Sequence, residues 1–189
     1  MIDQDKPYLE LMGQTNDLVR LLEDSHTFET NHLSIMCRLT WRNFRMIITG
    51  DAQMENWSYF DQERLLEDKC QVLQAAHHGS KNGSQWERLH RLDPSVVVVS
   101  SDPEGKDRLP DLCGAAVFAE FDSFNGKYAC MTCDTGTVYL RVSSTNNRQF
   151  RALGEASDAK IDLNSYKVLD EVSNPTNWQA LIQKRLQEL

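Results

Sequence analysis

Apolar and polar residues alternate over 33–39 (LSIMCRL), with Leu33, Ile35, Cys37 and Leu39 on one side and Ser34, Met36 and Arg38 on the other. A period of two is the pattern of a half-buried strand. Residues 40–43 (TWRN) read as a turn and 44–49 (FRMIIT) as the returning strand, which ends at Gly50-Asp51. The spacing predicts an amphipathic helix over 55–68, carrying Trp57, Phe60, Leu65 and Leu66 among charged neighbours. A short apolar strand over 72–76 runs into His77-His78-Gly79-Ser80. Ser84 and Glu87 fit a capping box opening a short helix that stops before Asp93-Pro94. Val96, Val97, Val98 and Val99 read as a strand buried on both faces.

Farther on, 101–111 (SDPEGKDRLPD) is a polar loop, and the small apolar stretch 112–121 fits either helix or strand. Two strands, 127–133 and 137–142, are expected to pair through Asp134-Thr135-Gly136 as a hairpin. Residues 143–173 read as polar and loose. Asn174-Pro175 opens a last helix whose face holds Trp178, Leu181, Ile182, Leu186 and Leu189. Before the first strand, Leu9, Leu11, Met12, Leu18, Leu21 and Leu22 recur at rough helical spacing, interrupted by Gly13. The order of elements predicts an α/β fold with a mixed β-sheet and flanking helices. Three segments follow: a helical or loop lead-in over 1–30, the principal domain over 31–143, and a polar linker with an amphipathic helix over 144–189.

Composition narrows the function. The 189 residues hold 20 Lys and Arg against 28 Asp and Glu, a net charge of -8, which argues against a broad basic nucleic-acid face. Nucleic acid remains open as a substrate, because a metal can supply positive charge locally. No apolar run approaches the roughly 20 residues of a membrane span. The N-terminus lacks a signal pattern. Five cysteines scattered among apolar residues then point to reduced thiols and a cytoplasmic setting.

Two strand ends carry chemistry. Gly50 allows a sharp turn that delivers the Asp51 carboxylate to the sheet rim, and His77 or His78 emerges after the next strand. Carboxylate with neutral imidazole suits a divalent metal, zinc first, with manganese or iron as alternatives. Ser80 can fix an imidazole tautomer or touch a ligand. Neighbouring histidines on an extended chain point to opposite faces, so the realistic count is two ligands, Asp51 and one histidine. Cys130 and Cys133 have the spacing of a half-site, but with no second pair they read as strand residues. Trp41, Trp57, Trp86 and Trp178 read as packing anchors, the acidic run 63–68 as a solvated helix face, and His26 and His90 as without ligand companions.

These stretches resemble the C-terminal half of a metallo-β-lactamase-fold hydrolase of the competence (DNA-uptake) type. The matching residues are Asn31-His32-Leu33-Ser34, Ile48-Thr49-Gly50-Asp51, His77-His78-Gly79-Ser80 and the run from Asp93-Pro94 to Ser100; residues 127–142 are similar to the closing hairpin of that domain. The resemblance covers about residues 30–143. It implies half of an αββα sandwich and a metal-dependent hydrolysis of a phosphodiester, ester or amide bond. It makes Asp51 with His77 or His78 metal ligands, and Asp51 with His78 the catalytic pair, while Asn31 and Ser80 take supporting or substrate-contacting places. Two departures stand out. The principal metal motif, His-x-His-x-Asp-His, is absent, and this chain begins too late to contain it. The loop after the valine strand, Lys106 to Pro110, lacks the family's late histidine. Hydrolysis is therefore expected only with the missing N-terminal half or a partner supplying that motif, and half a sandwich would leave one apolar sheet face uncovered. The alternatives are a degenerate, non-catalytic assembly or regulatory module, or a plain α/β domain that docks partners through its last helix.

Overall fold

A computed structural model describes residues 6, 8–12, 31, 34–62, 69–136, 138–142, 148–152, 167–168 and 176–189. Six strands form a mixed sheet in chain order: β1 (Tyr8–Met12), β2 (Met36–Trp41), β3 (Phe44–Ile48), β4 (Val72–Gln74), β5 (Val96–Val99) and β6 (Tyr128–Met131). The first three pair antiparallel, and β3 through β6 run parallel. Parallel neighbours need crossovers. These contain α1 (Met54–Gln62), α2 (Trp86–Leu92) and α3 (Leu112–Asp122). A short turn of helix, α4 (Thr132–Thr135), follows β6. A second sheet joins β7 (Val138–Val142), β8 (Arg148–Ala152) and β9 (Lys167–Val168), and α5 (Trp178–Gln187) closes the chain. The architecture is thus α/β with a mixed sheet and helices packed on it. No helix among the described residues is long and apolar enough to cross a membrane.

Strand parity divides the sheet into two unlike faces. Met36, Ile47, Leu73, Val97, Val99, Ala129 and Met131 point to one side, where Trp57 and Phe60 of α1, Leu89 and Leu92 of α2, Phe118 and Phe121 of α3, and Trp178 and Leu181 of α5 bury them. The opposite face carries Leu9 and Leu11 of β1, Cys37 and Leu39 of β2, and Met46 and Ile48 of β3, paired in register. Leu9 is 60% exposed, Leu11 65%, and Ile35, just ahead of β2, 66%.

The structure corrects several expectations, each for a local reason. The strand expected over 33–39 begins at Met36, and it turns inward the opposite parity: Met36 and Thr40 are buried while Ile35 is open. The turn is only Arg42-Asn43, with Arg42 in the left-handed region. Leu9, Leu11 and Met12 belong to strand β1 instead of a helix, because pairing with β2 outweighs a weak helical period. The expected hairpin between 127–133 and 137–142 does not form. β6 pairs parallel with β5, four residues coil as α4, and β7 pairs with β8 in the other sheet. The stretch read as loose contributes β8 and β9. Ser84 does not cap α2: Gln85 holds the N-cap place without a side-chain bond, and the buried Ser84 hydroxyl finds no partner among the described residues. The last helix starts at Trp178, capped by Asn177, whose side chain accepts from the Ala180 amide. The first crossover helix is described over Met54–Gln62; the rest of the expected helix, 63–68, and His26, His32, Leu18, Leu21, Leu22, Asn174 and Pro175 lie outside the described residues.

Two contacts tie connecting segments together, one at each edge of the sheet. Gly114 of α3 sits directly on the loop holding the histidines, and a Cβ there would stand 1.7 Å from the Gly79 carbonyl oxygen. Lys127 gathers the Asp93 carboxylate at 2.5 Å and the Pro94 carbonyl at 2.8 Å, joining the end of α2 to the start of β6.

Gly114→Ala is expected to exceed the about 1–3 kcal/mol typical of an overpacked site, because the clash is with backbone. Gly126→Ala, which meets nothing within 4 Å but has φ +75°, should lose only about 1–2 kcal/mol; urea unfolding of both variants measures the difference. Hydrogen bonds from Lys127 first, and then Lys69, hold the Asp93 carboxyl below the usual carboxylate range. Its contribution is therefore complete above the unfolded carboxyl's pKa of about 3.9 and is lost as pH falls through the lower folded value. Asp93→Asn should melt below the parent at pH 7, with the gap narrowing as pH falls below the unfolded carboxyl's value of about 3.9. The side chain is 41% exposed, so solvent screening keeps the effect modest.

Candidate functional site

The parallel register of β3, β4 and β5 sets their carboxyl ends side by side, the place where open α/β sheets gather ligands. At the end of β3, Thr49 is fully buried and donates to the Gln74 carbonyl at 2.9 Å, locking the two strand ends together. Gly50 then takes φ +54°, and Asp51 emerges at the rim. After β4 the chain turns through Ala76–Gly79, where His77 (φ 45°), His78 (φ 53°) and Gly79 (φ 80°) are left-handed in succession. The histidines are not on an extended chain, which corrects the geometry assumed from sequence. Left-handed backbone costs a non-glycine residue about 1–2 kcal/mol, so something must hold this turn. The His77 amide donates to the Gly50 carbonyl at 3.0 Å, and the Ser80 amide returns to the His77 carbonyl at 2.9 Å.

The two imidazoles have different surroundings. His77 lies between two amides: the Asn31 side-chain nitrogen is 3.3 Å from Nε2 and the Gln53 side-chain nitrogen 3.2 Å from Nδ1. A neutral ring has one N–H and one lone pair and an amide nitrogen only donates, so one amide donates to the lone pair and the other meets the ring N–H only with its oxygen turned inward. His78 has one side committed and one open. Its Nδ1–H donates to the Ser100 carbonyl at 2.5 Å, leaving the Nε2 lone pair of the neutral ring toward Asp51. Nε2 and the Asp51 Oδ1 stand 3.4 Å apart, with side chains 49% and 44% exposed.

That separation has a direct chemical meaning. It is longer than the about 2.7–2.9 Å of a charge-assisted hydrogen bond. It matches the edge of a tetrahedral zinc polyhedron, where ligand atoms about 2.0–2.1 Å from the ion lie about 3.3–3.4 Å apart. A backbone carbonyl taking the second ring N–H is the usual way a protein orients a metal-binding histidine. The donor set therefore fits two positions of a divalent metal site and no more. Among the described residues, no group of three or more His, Cys, Asp or Glu side chains is placed to hold a metal ion.

Asp51 and His78 thus meet at the rim, and His77 and Asn31 form a neighbouring half-buried pair. Ser80 stands apart: it is buried, and its hydroxyl accepts from the Gly83 amide at 3.3 Å, anchoring the turn. Gln53 and the Ser100 carbonyl carried no sequence signal, since one is an ordinary loop glutamine and the other is backbone. Cys130 is buried in β6 and Cys133 is exposed in α4; burial raises their thiols to about 12 and about 11. Neither acts as a ready thiolate. His90 is exposed on α2, Trp57 and Trp178 are buried anchors, and Trp86 stacks on Phe124.

Gln53→Leu is expected to cost about 1–3 kcal/mol, because it strands a His77 ring nitrogen in a largely enclosed place. The Asp51–His78 pair should be unmoved, so denaturant unfolding registers the change while the His78 ring signals in an NMR spectrum do not. No protein-family model matches the sequence, and the search of curated proteins finds no relative, so the chemistry of these side chains carries the functional reading.

Proposed function

We propose that this chain carries half of a hydrolytic metal centre of the metallo-β-lactamase type. Asp51 and His78 serve as two ligands, and a partner or a preceding segment supplies the His-x-His-x-Asp-His set. The observation that supports it most is the 3.4 Å between His78 Nε2 and Asp51 Oδ1, with Nδ1 already tied to a carbonyl. A divalent ion, zinc by its donor preference, would lower the pKa of a bound water and polarise a phosphodiester, ester or amide. Asp51 would bind and orient, its second oxygen free to direct water. His78 would hold its lone pair on the same point, fixed by Ser100. Both face solvent, which leaves room for further ligands and for a substrate.

The exposed apolar residues at the antiparallel end of the sheet support the need for a partner. Leu9, Leu11 and Ile35 lie at that end, and the Ile35 carbonyl is 3.6 Å from where a Cβ on Gly50 would sit. An apolar layer seated there would also reach the rim that holds Asp51, as the second sheet of an αββα sandwich does. One specific observation favours the second reading, a non-catalytic assembly module: the described residues supply only two ligands.

Titrating Co²⁺ and Zn²⁺ into the purified full chain tests the first reading. One ion is expected to bind weakly, with visible cobalt bands, and Asp51→Ala and His78→Ala should each abolish it. A wild-type chain that binds neither ion, or binding that survives both substitutions, overturns the metal reading and leaves the assembly module. The exposed face makes a separate prediction: the chain alone should self-associate in light scattering, and Leu11→Lys with Ile35→Lys should disperse it.

A further inference from the structure

We propose that Arg185, on α5, is a positioning residue that fixes the loop between Ser100 and Asp111 and, through it, the ring of His78. The functional meaning rests on the reading of His78 as a ligand; the structural claim does not. Arg185 is a buried charge, with its side chain 6% exposed. Its Nε donates to the Pro110 carbonyl at 3.1 Å, and its Nη2 donates to the carbonyls of Pro103 at 2.9 Å and Arg108 at 2.6 Å. Nη1 takes the Glu188 carboxylate at 2.9 Å. Three carbonyls of one loop thus converge on one guanidinium.

Other contacts hold the loop as well: the Glu104 amide donates to the Asp102 carboxylate at 3.0 Å, Lys184 pairs with Glu104, and Asp111 accepts from the Lys81 and Gly114 amides. Its own backbone bonds are Gly105 to Asp102 at 3.0 Å and Arg108 to Gly105 at 3.2 Å, and the Ser101 hydroxyl closes its neck on the Leu109 carbonyl. Its first carbonyl, Ser100, is the one that receives the His78 Nδ1–H. Beyond it, Ser101, Asp102, Lys106 and Leu109 wall an open depression beside His78. Arg185 therefore shapes the wall that any substrate would meet and acts on the His78 tautomer through the loop that begins at Ser100. A lysine could not replace it, because a single ammonium lacks the planar fork that reaches the three acceptors together. The helix itself stays docked without Arg185, since Trp178 and Leu181 are buried in the core and Lys184 pairs with Glu104.

Nitrogen NMR of the histidine rings in the metal-free full chain tests this. In the parent, His78 should show the Nδ1–H form, and the Arg185 Nε–H should exchange slowly compared with that of exposed Arg91. In Arg185→Ala, His78 should become a mixture of tautomers while His77 keeps its signals. Millimolar guanidinium should restore the parent pattern, and Arg185→Lys should not. Zn²⁺ affinity should fall about 10–100-fold. Lys184→Ala should leave the His78 ring unchanged. The proposal is overturned if the His78 ring is the same in Arg185→Ala as in the parent, or if His77 and His78 change together as the whole chain loosens. Should Arg185→Ala fail to fold, a parent Arg185 Nε–H that exchanges as fast as that of Arg91 overturns it equally. If the His78 tautomer follows Arg185 but the parent binds no Zn²⁺, the positioning role stands and the metal reading fails.

Discussion

The hydrogen bond from the His77 amide to the Gly50 carbonyl joins the ends of two adjacent parallel strands, and the geometry of the rim follows from it. It holds a turn whose backbone is otherwise unfavourable, with two histidines in succession at positive φ. Thr49 reinforces the junction by bonding to the Gln74 carbonyl, and Gly114 presses against Gly79 from the helix side. Strain in the turn is thus offset by bonds on both sides of it. The same constraint separates the fates of the two rings: one is turned inward between amides, the other outward toward a carboxylate.

Much of this was legible in the sequence where a residue type dictates its own conformation. Gly50 and Gly79 marked the two turns, the valine run marked the central strand, and Asp51 with the His77-His78 doublet marked the two strand ends that meet. The face of β2 was misread because Ile35, Cys37 and Leu39 look like core residues and Thr40 does not. Alternation reports two faces; it does not say which is covered, and here an apolar face is the open one. The hairpin after β6 was misread because Asp134-Thr135-Gly136 is a turn signal either way, and long-range pairing with β5 decided the partner. Which histidine faces Asp51 depends on backbone angles and on a carbonyl at Ser100, neither of which side-chain identity encodes.

The asymmetry of the sheet unites the remaining features. One side is sealed by α1, α2, α3 and α5 around Trp57, Phe118 and Trp178. The other offers leucines and isoleucine to solvent at the antiparallel end, next to the strand that delivers Asp51. Under the proposed reading, incomplete coordination and incomplete burial have one origin, since the layer that would complete the ligand set would also cover the face. The closing helix has a role in either reading, because its arginine organises the loop beside His78.

Cys37 has a consequence of its own. It is half-buried on the uncovered side of β2, opposite Leu11 on one strand and Ile48 on the other, whereas Cys70 and Cys130 lie inside and burial lifts both thiols to about 12. With the exposed Cys113 and Cys133 replaced, a thiol-directed label would report on Cys37. A fluorophore at that sulfur would sense the arrival of any apolar layer as a change in polarity, so the molecule carries its own gauge of whether it stands alone.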